Sequence, residues 1–197
     1  MTDLSRIVWT DEKRFSLDGP NGYARMWWEE GGEMDQSHVK VDRFGERGVM
    51  VHLAFSCSGL LAVNRIVGTL DGDGYRRLLH EDVLPGVGAV HGRKFILQHD
   101  NAPPHTSETV RLYLEHRNVE VLDWPPYSPD LNPVETMWSI ISRRLYEGGA
   151  QYNSETALWN GIKGIAKNVT DDLWKKMVNS VPGRLATLIV RNCGYCQ

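Results

Sequence analysis

Residues 100–135, DNAPPHTSETVRLYLEHRNVEVLDWPPYSPDLNPVE, restrict the fold more than any other part of this chain. The opening acid, Asp100, follows an apolar run, Phe95-Ile96-Leu97, that reads as a strand over residues 94–98. An amphipathic helix comes next, capped at Thr106 or Ser107, with Val110, Tyr113 and Leu114 on its inner face. A second strand, residues 119–122, stops before Pro125-Pro126. The closing acid, Glu135, stands three positions after Asn132, where another helical pattern begins. Strands joined through a helix pair in parallel, because the crossover returns the chain in the same direction.

A third acid belongs with these two. Residues 6–11, Arg6-Ile7-Val8-Trp9-Thr10-Asp11, read as a buried strand ending on Asp11. Side chains alternate along a strand, so Ile7, Trp9 and Asp11 share one side and Glu12 faces the other. Glu12 is therefore not expected to join Asp11 at one metal ion. Two strand-end aspartates and a helix-borne glutamate, far apart in sequence, are what a two-metal phosphoryl-transfer site needs. Brought together, they repel: at ~4 Å and an effective dielectric of about 20, each like-charged pair costs on the order of 4 kcal/mol. Raised pKa values or bound cations must offset that, and Mg²⁺ suits an all-oxygen donor set.

Each acid also has a structural reading. Asp11 alone is compatible with a strand end, and Asp100 with a cap on the turn at Asn101-Ala102-Pro103. Asn132 is a favoured N-cap, Pro133 fits the first helical position, and Glu135 then falls where a carboxylate reaches back to the cap. On that reading a nearby acid such as Asp130 replaces Glu135 as the third ligand.

Taken as an ordered set, these motifs resemble the catalytic domain of mariner-type cut-and-paste DNA transposases, in the Asp-Asp-Glu superfamily. The matching residues are Thr10-Asp11-Glu12 before Phe15, His99-Asp100-Asn101 with His105, and Ser128-Pro129-Asp130-Leu131-Asn132-Pro133-Val134-Glu135 followed by Trp138. Ser180-Val181-Pro182-Gly183-Arg184 resembles the family's C-terminal helix signature, and the 34 residues between Asp100 and Glu135 match one branch. The resemblance implies a ribonuclease H-like fold with Asp11, Asp100 and Glu135 as catalytic and metal-binding residues for two Mg²⁺ or Mn²⁺ ions. It implies hydrolysis of DNA at transposon ends, transfer of the 3′-hydroxyl to target DNA, a homodimer and a nuclear setting. Asn101, His105 and Asn132 are expected to touch substrate or shape loops. The family's upstream helix-turn-helix modules are expected to be absent from this chain. Two rival readings keep the fold: a host-adopted, non-catalytic interaction module, and a simple metal-dependent nuclease.

Elsewhere the pattern is of strands first, alternating strands and helices next, and helices last, which gives α/β with a mixed sheet over residues 1–197 as a single domain. Asp18-Gly19-Pro20-Asn21-Gly22 signals a hairpin into a strand at residues 23–28, and residues 29–47 read as a flexible loop. Residues 48–55 and 60–67 are strands around the turn Ser56-Cys57-Ser58-Gly59, so the first three strands should pair antiparallel. Residues 73–84 form a helix that Pro85 ends. Beyond Asn132, helices carry Val134, Met137, Trp138, Ile141 and Leu145, then Leu158, Ile162 and Ile165, then Leu173, Met177 and Val178. Pro182 opens or kinks the last helix.

The lesser motifs read structurally. Trp27-Trp28 is expected to pack rather than stack on bases, His91 and His99 to be structural, and Cys193-Gly194-Tyr195-Cys196 to be two free thiols lacking a second ligand pair. No apolar run approaches the ~18 residues of a membrane helix, and the N-terminus lacks a secretory pattern. Three cysteines make no disulfide framework, pointing to a reducing compartment. The net charge of −3 argues for weak DNA binding, since phosphate neutralisation drives affinity.

Overall fold

The computed structural model describes residues 3–19, 47–126 and 128–193. Its centre is β1 (Ile7–Ser16), where Ile7 and Trp9 are buried on one face of the sheet and Val8 on the other. β1 pairs antiparallel with β2 (Gly48–Ser56), which pairs antiparallel with β3 (Gly59–Ile66). On its other side β1 pairs in parallel with β4 (Ile96–Gln98), and β4 with β5 (Glu120–Val121). The order is β3-β2-β1-β4-β5, antiparallel then parallel as expected. Cys57-Ser58 turns β2 into β3, and Gly59 takes φ 121°, a region in which a side chain is strained.

Helices cover both faces. On the first lie α1 (Gly72–Leu78), a π turn (Leu79–Val83), α2 (Leu84–His91) and α3 (Glu108–His116). They pack Tyr75, Leu79, Val83, Val87, Val110 and Leu114 onto Val8, Ala54 and Leu97. Gly86 lets α2 lie on β3, because a Cβ there would stand 2.3 Å from the Leu61 carbonyl oxygen. On the second face lie α4 (Val134–Leu145), α5 (Glu155–Lys167) and α6 (Asp171–Asn179), followed by α7 (Val181–Cys193). Trp138 of α4 meets Phe15 edge-on at 5.8 Å, and Trp174 of α6 meets Phe55 at 4.8 Å. α4 buries the stripe the periodicity predicts; α5 and α6 bury Leu158, Ile162, Met177 and Val178 as expected, but Ala166 and Trp174 take the core positions beside the half-buried Ile165 and Leu173. No helix among the described residues is long and apolar enough to cross a membrane.

Several boundaries differ from expectation. β1 does not end at Asp11 but runs to Ser16, because residues 11–16 keep pairing with residues 48–53 while Phe15 turns inward. Pro85 does not end a helix. The π turn before it carries the chain on, and the proline takes a first-turn position of α2. β4 and β5 are shorter than the sequence patterns suggest, β5 having two exposed residues at the sheet edge. β1 reaches β2 through residues 17–47 rather than a tight turn; the expected strand at residues 23–28, the tryptophan pair, most of the loop at residues 29–47 and the end of the terminal cysteine motif lie outside the described residues.

Candidate active site

Three elements deliver the three acids to one cavity. Asp11 sits mid-strand in β1, Asp100 follows β4 by two residues, and Glu135 lies in the first turn of α4. All three line a cavity of about 630 Å³, together with Asn101, Asn132 and an apolar wall that includes Trp124 and Pro125. Asp130 is not among the lining residues, so the geometry favours Glu135 over that neighbour. No lysine or arginine is among the described lining residues.

Asp11 shows what this environment does. Burial is the main influence on its carboxyl, raising the pKa from 3.8 to about 7. The indole N–H of Trp138 donates to Oδ2 at 2.8 Å and opposes the shift, while the charges of Glu12 and Glu135 add to it. In sequence Trp138 reads as part of α4's apolar stripe and as a residue of the Glu135 motif, with no sign of a contact to Asp11. Its polar edge faces Asp11 because residue 138 lies one turn beyond Glu135 on the same helix.

Asp100 is held differently. His105 Nδ1 donates to Oδ1 at 2.6 Å, and this bond is the first cause of a pKa below the ordinary value. Asp100 Oδ1 also accepts the Ala102 N–H at 2.9 Å, so the expected turn cap exists alongside the place in the cavity. Asn101 does not aim its amide nitrogen at the cavity's acids but donates to the Trp124 carbonyl at 2.8 Å, pinning the proline-rich segment.

The helix bearing Glu135 is anchored from two sides. Asn132 Oδ1 accepts the Val134 N–H at 3.1 Å, and its amide nitrogen donates to the Thr10 carbonyl at 3.3 Å, tying α4 to the strand carrying Asp11. Asn132 thus caps the helix, with Pro133 rather than Asn132 at the formal cap position. Among the described residues the Glu135 carboxylate takes no capping hydrogen bond, which leaves it to the cavity. From α7, Arg184 donates to the carbonyls of Asp130 and Asn132 at 3.2 and 3.4 Å and also bonds the Thr136 hydroxyl. That clamp was hidden in sequence, since Arg184 lies 49 positions beyond Glu135 (184 − 135).

Behind Asp100, on the opposite face of the sheet from Asp11, lies a buried polar group. His105 Nε2 stands 3.3 Å from Glu12 Oε2. Burial opposes charging His105, but the Asp100 and Glu12 carboxylates overcome it and hold its pKa at about 9. Burial pushes His52 and His99 down to about 4, so both are neutral near pH 7. The Tyr75 hydroxyl and His99 Nδ1 share a hydrogen bond at 3.1 Å. His91 pairs with the Ser56 hydroxyl at 2.8 Å, away from the acids.

The donor set fits hard divalent cations: the charged groups lining the cavity are carboxylates, and the lining holds no lysine or arginine among the described residues. Among the described residues no group of three or more His, Cys, Asp or Glu is arranged to hold a metal ion. A Mg²⁺ or Mn²⁺ ion in this cavity would therefore take one or two of the carboxylates, with waters and phosphate oxygens completing its shell.

Comparison with known proteins adds to this geometry. Residues 6–158 match the family model described as DDE superfamily endonuclease. The chain is 32% identical over 194 residues to the transposable element Tc1 transposase of Caenorhabditis elegans, covering 98% of this chain and 70% of that protein. It is 32% identical over 190 residues to the Tc3 transposase of the same species, covering 95% of this chain and 56% of that protein. The chain thus spans little more than half the length of the second relative. Its fold is that of a crystal structure of the mariner Mos1 paired end complex with Mg, with a TM-score of 0.82 at 24% identity over 96% of this chain and 56% of that one.

Proposed function

The chain belongs to the DDE superfamily endonucleases, and on that premise we propose that it is the catalytic domain of a DNA transposase, with Asp11, Asp100 and Glu135 as its catalytic acids. It hydrolyses phosphodiester bonds at transposon ends and transfers the 3′-hydroxyl to target DNA. The observation that carries this reading is the convergence of the three acids, from three separate elements, on one cavity. The partners proposed are the transposon ends and target DNA, the assembly a homodimer, and the setting the nucleus, with residues 1–197 acting as one domain. Resemblance to transposases across almost the whole chain favours this over a simple nuclease.

Two Mg²⁺ or Mn²⁺ ions held by Asp11, Asp100 and Glu135 would supply an activated oxygen nucleophile and stabilise the leaving oxygen. The chain's own part is placement. β1 and α4 set Asp11 opposite Glu135, with Asn132 fixing the distance between strand and helix. Asn101 holds Trp124 and the prolines as the apolar wall along which the DNA backbone lies. Excess negative charge keeps phosphate out until cations are present, which makes DNA engagement metal-dependent.

The test is strand transfer. A duplex with a 3′-hydroxyl end and a supercoiled target are incubated with the chain in Mn²⁺, and joined products are quantified. Wild type should join strands, and Asp11→Asn, Asp100→Asn and Glu135→Gln should each lose that activity by several orders of magnitude. Equal product from wild type and all three variants would remove the acids from the reaction. Nicking without joining would favour the plain nuclease.

A further inference from the structure

Adjacent residues of β1 face opposite sides of the sheet, yet both lead to acids of the cavity. Asp11 faces it directly, whereas Glu12 lies behind it, its side chain only 10% exposed. Glu12 reaches Asp100 through a single ring. His105 stands between the two carboxylates, with Nε2 3.3 Å from Glu12 Oε2 and Nδ1 2.6 Å from Asp100 Oδ1. The ring donates to Asp100 through Nδ1 and forms an ion pair with Glu12 through Nε2.

The ring has little freedom to do otherwise. Its side chain is 4% exposed. It stacks on His99 at 5.2 Å with planes 4° apart, and the Tyr75 ring covers it at 4.1 Å. The backbone N–H of His105 donates to the Ala102 carbonyl at 2.9 Å, closing the loop that carries Asp100. Both hydrogen bonds to the Asp100 carboxylate, from His105 and from Ala102, fall on Oδ1. Among the described residues Oδ2 takes none, and Asp100 remains 53% exposed toward the cavity.

We propose that Glu12 and His105 are a positioning pair: from the far face of the sheet they fix Asp100 by Oδ1 and leave Oδ2 to bind a divalent cation. Glu12 balances the charge of the histidine, so that Asp100 keeps its own charge for the ion. This rests on the reading of Asp100 as a metal-binding acid. Hydrogen-bonded partners of this kind orient metal-binding carboxylates, and their loss costs 10–100-fold in metal affinity. Neither residue touches substrate; both act through Asp100.

Mn²⁺ binding measured by calorimetry tests the pair without relying on activity. The proteins are wild type, Asp100→Asn, Glu12→Gln, His105→Gln and the Glu12→Gln/His105→Gln double variant, each shown to be folded in EDTA at the assay temperature. Glu12→Gln keeps the shape of the side chain, so it carries the test if His105→Gln does not fold. Glu12→Gln should bind Mn²⁺ roughly 10-fold or more weakly, and the double variant no more weakly than the worse single one. Strand cleavage by Glu12→Gln should recover as Mn²⁺ is raised, whereas Asp100→Asn should not recover. If Asp100→Asn loses binding while Glu12→Gln matches wild type, the positioning pair is refuted and the metal site stands. If wild type binds no Mn²⁺, or Asp100→Asn binds like wild type, the metal site falls and the pair with it.

Discussion

Replacing Asp11 with asparagine should make the metal-free protein more stable at pH 8, and the size of the effect follows from where Asp11 sits. Its folded pKa, about 7, lies above the ordinary 3.8, so the fold favours the protonated form. The stability linked to this group is fully present below about pH 4 and is lost as pH rises through 7. Three units at about 1.36 kcal/mol each set an upper limit of ~4 kcal/mol, reduced where water from the cavity reaches the carboxylate. Between pH 6 and pH 8 the loss is about 1.3 kcal/mol, or roughly 3–5 °C in Tm for a chain of this size. Asparagine keeps an oxygen to accept the Trp138 N–H and carries no charge. His105 titrates in the same sense through about 9, and His52 and His99, near 4, in the opposite sense, but all three are common to both proteins. The assay is thermal unfolding in EDTA at pH 6, 7 and 8, taken as wild type minus variant. Parallel pH profiles, or a variant less stable at pH 8, would show that Asp11 is not held in a charge-averse environment.

Glu135→Gln should stay folded, change stability by only about 0.5 kcal/mol through the lost helix-dipole term, and lose the rise in Tm that Mn²⁺ gives wild type. Asp130→Asn, exposed and outside the cavity, should keep that rise, and the reverse pattern would move the third ligand to Asp130. Arg184→Ala removes charged hydrogen bonds to the segment before α4, so it should cost on the order of 1.5–3 kcal/mol and reduce cleavage more than its melting shift explains. Normal cleavage would show that α4 holds its place without α7. The chain alone, at a net charge of −3, should bind duplex DNA at ~10⁻⁴ to 10⁻⁶ M at physiological salt, as filter binding at two salt concentrations would show; sequence-specific binding tighter than roughly 10⁻⁸ M would locate recognition within it.

What the sequence shows of this molecule follows from what side-chain order can encode. The β2–β3 hairpin and the parallel β4–β5 pair are legible because a tight turn and a helical crossover force those pairings, and the stripes of α4 to α6 because burial repeats with the helical period. The three acids stand out because no apolar period explains them, although Asp11 lies mid-strand rather than at the strand end its sequence suggests. Polar contacts between distant elements are not legible. Glu12 is correctly placed opposite Asp11 by alternation, yet its meeting with His105 depends on how the loop after β4 folds over β1. Trp138 looks like any core tryptophan until its N–H is seen against Asp11. Pro85 reads as a stop because a sequence pattern does not reveal a π turn ahead of it.

The central claim, that Asp11, Asp100 and Glu135 form one metal-binding site, is tested most directly by soaking crystals of the chain in Mn²⁺ and collecting data at the manganese edge. The account predicts anomalous density in the cavity bounded by these three side chains, absent from Asp100→Asn crystals soaked in the same way. Anomalous density elsewhere, with none in that cavity at saturating Mn²⁺, would contradict it.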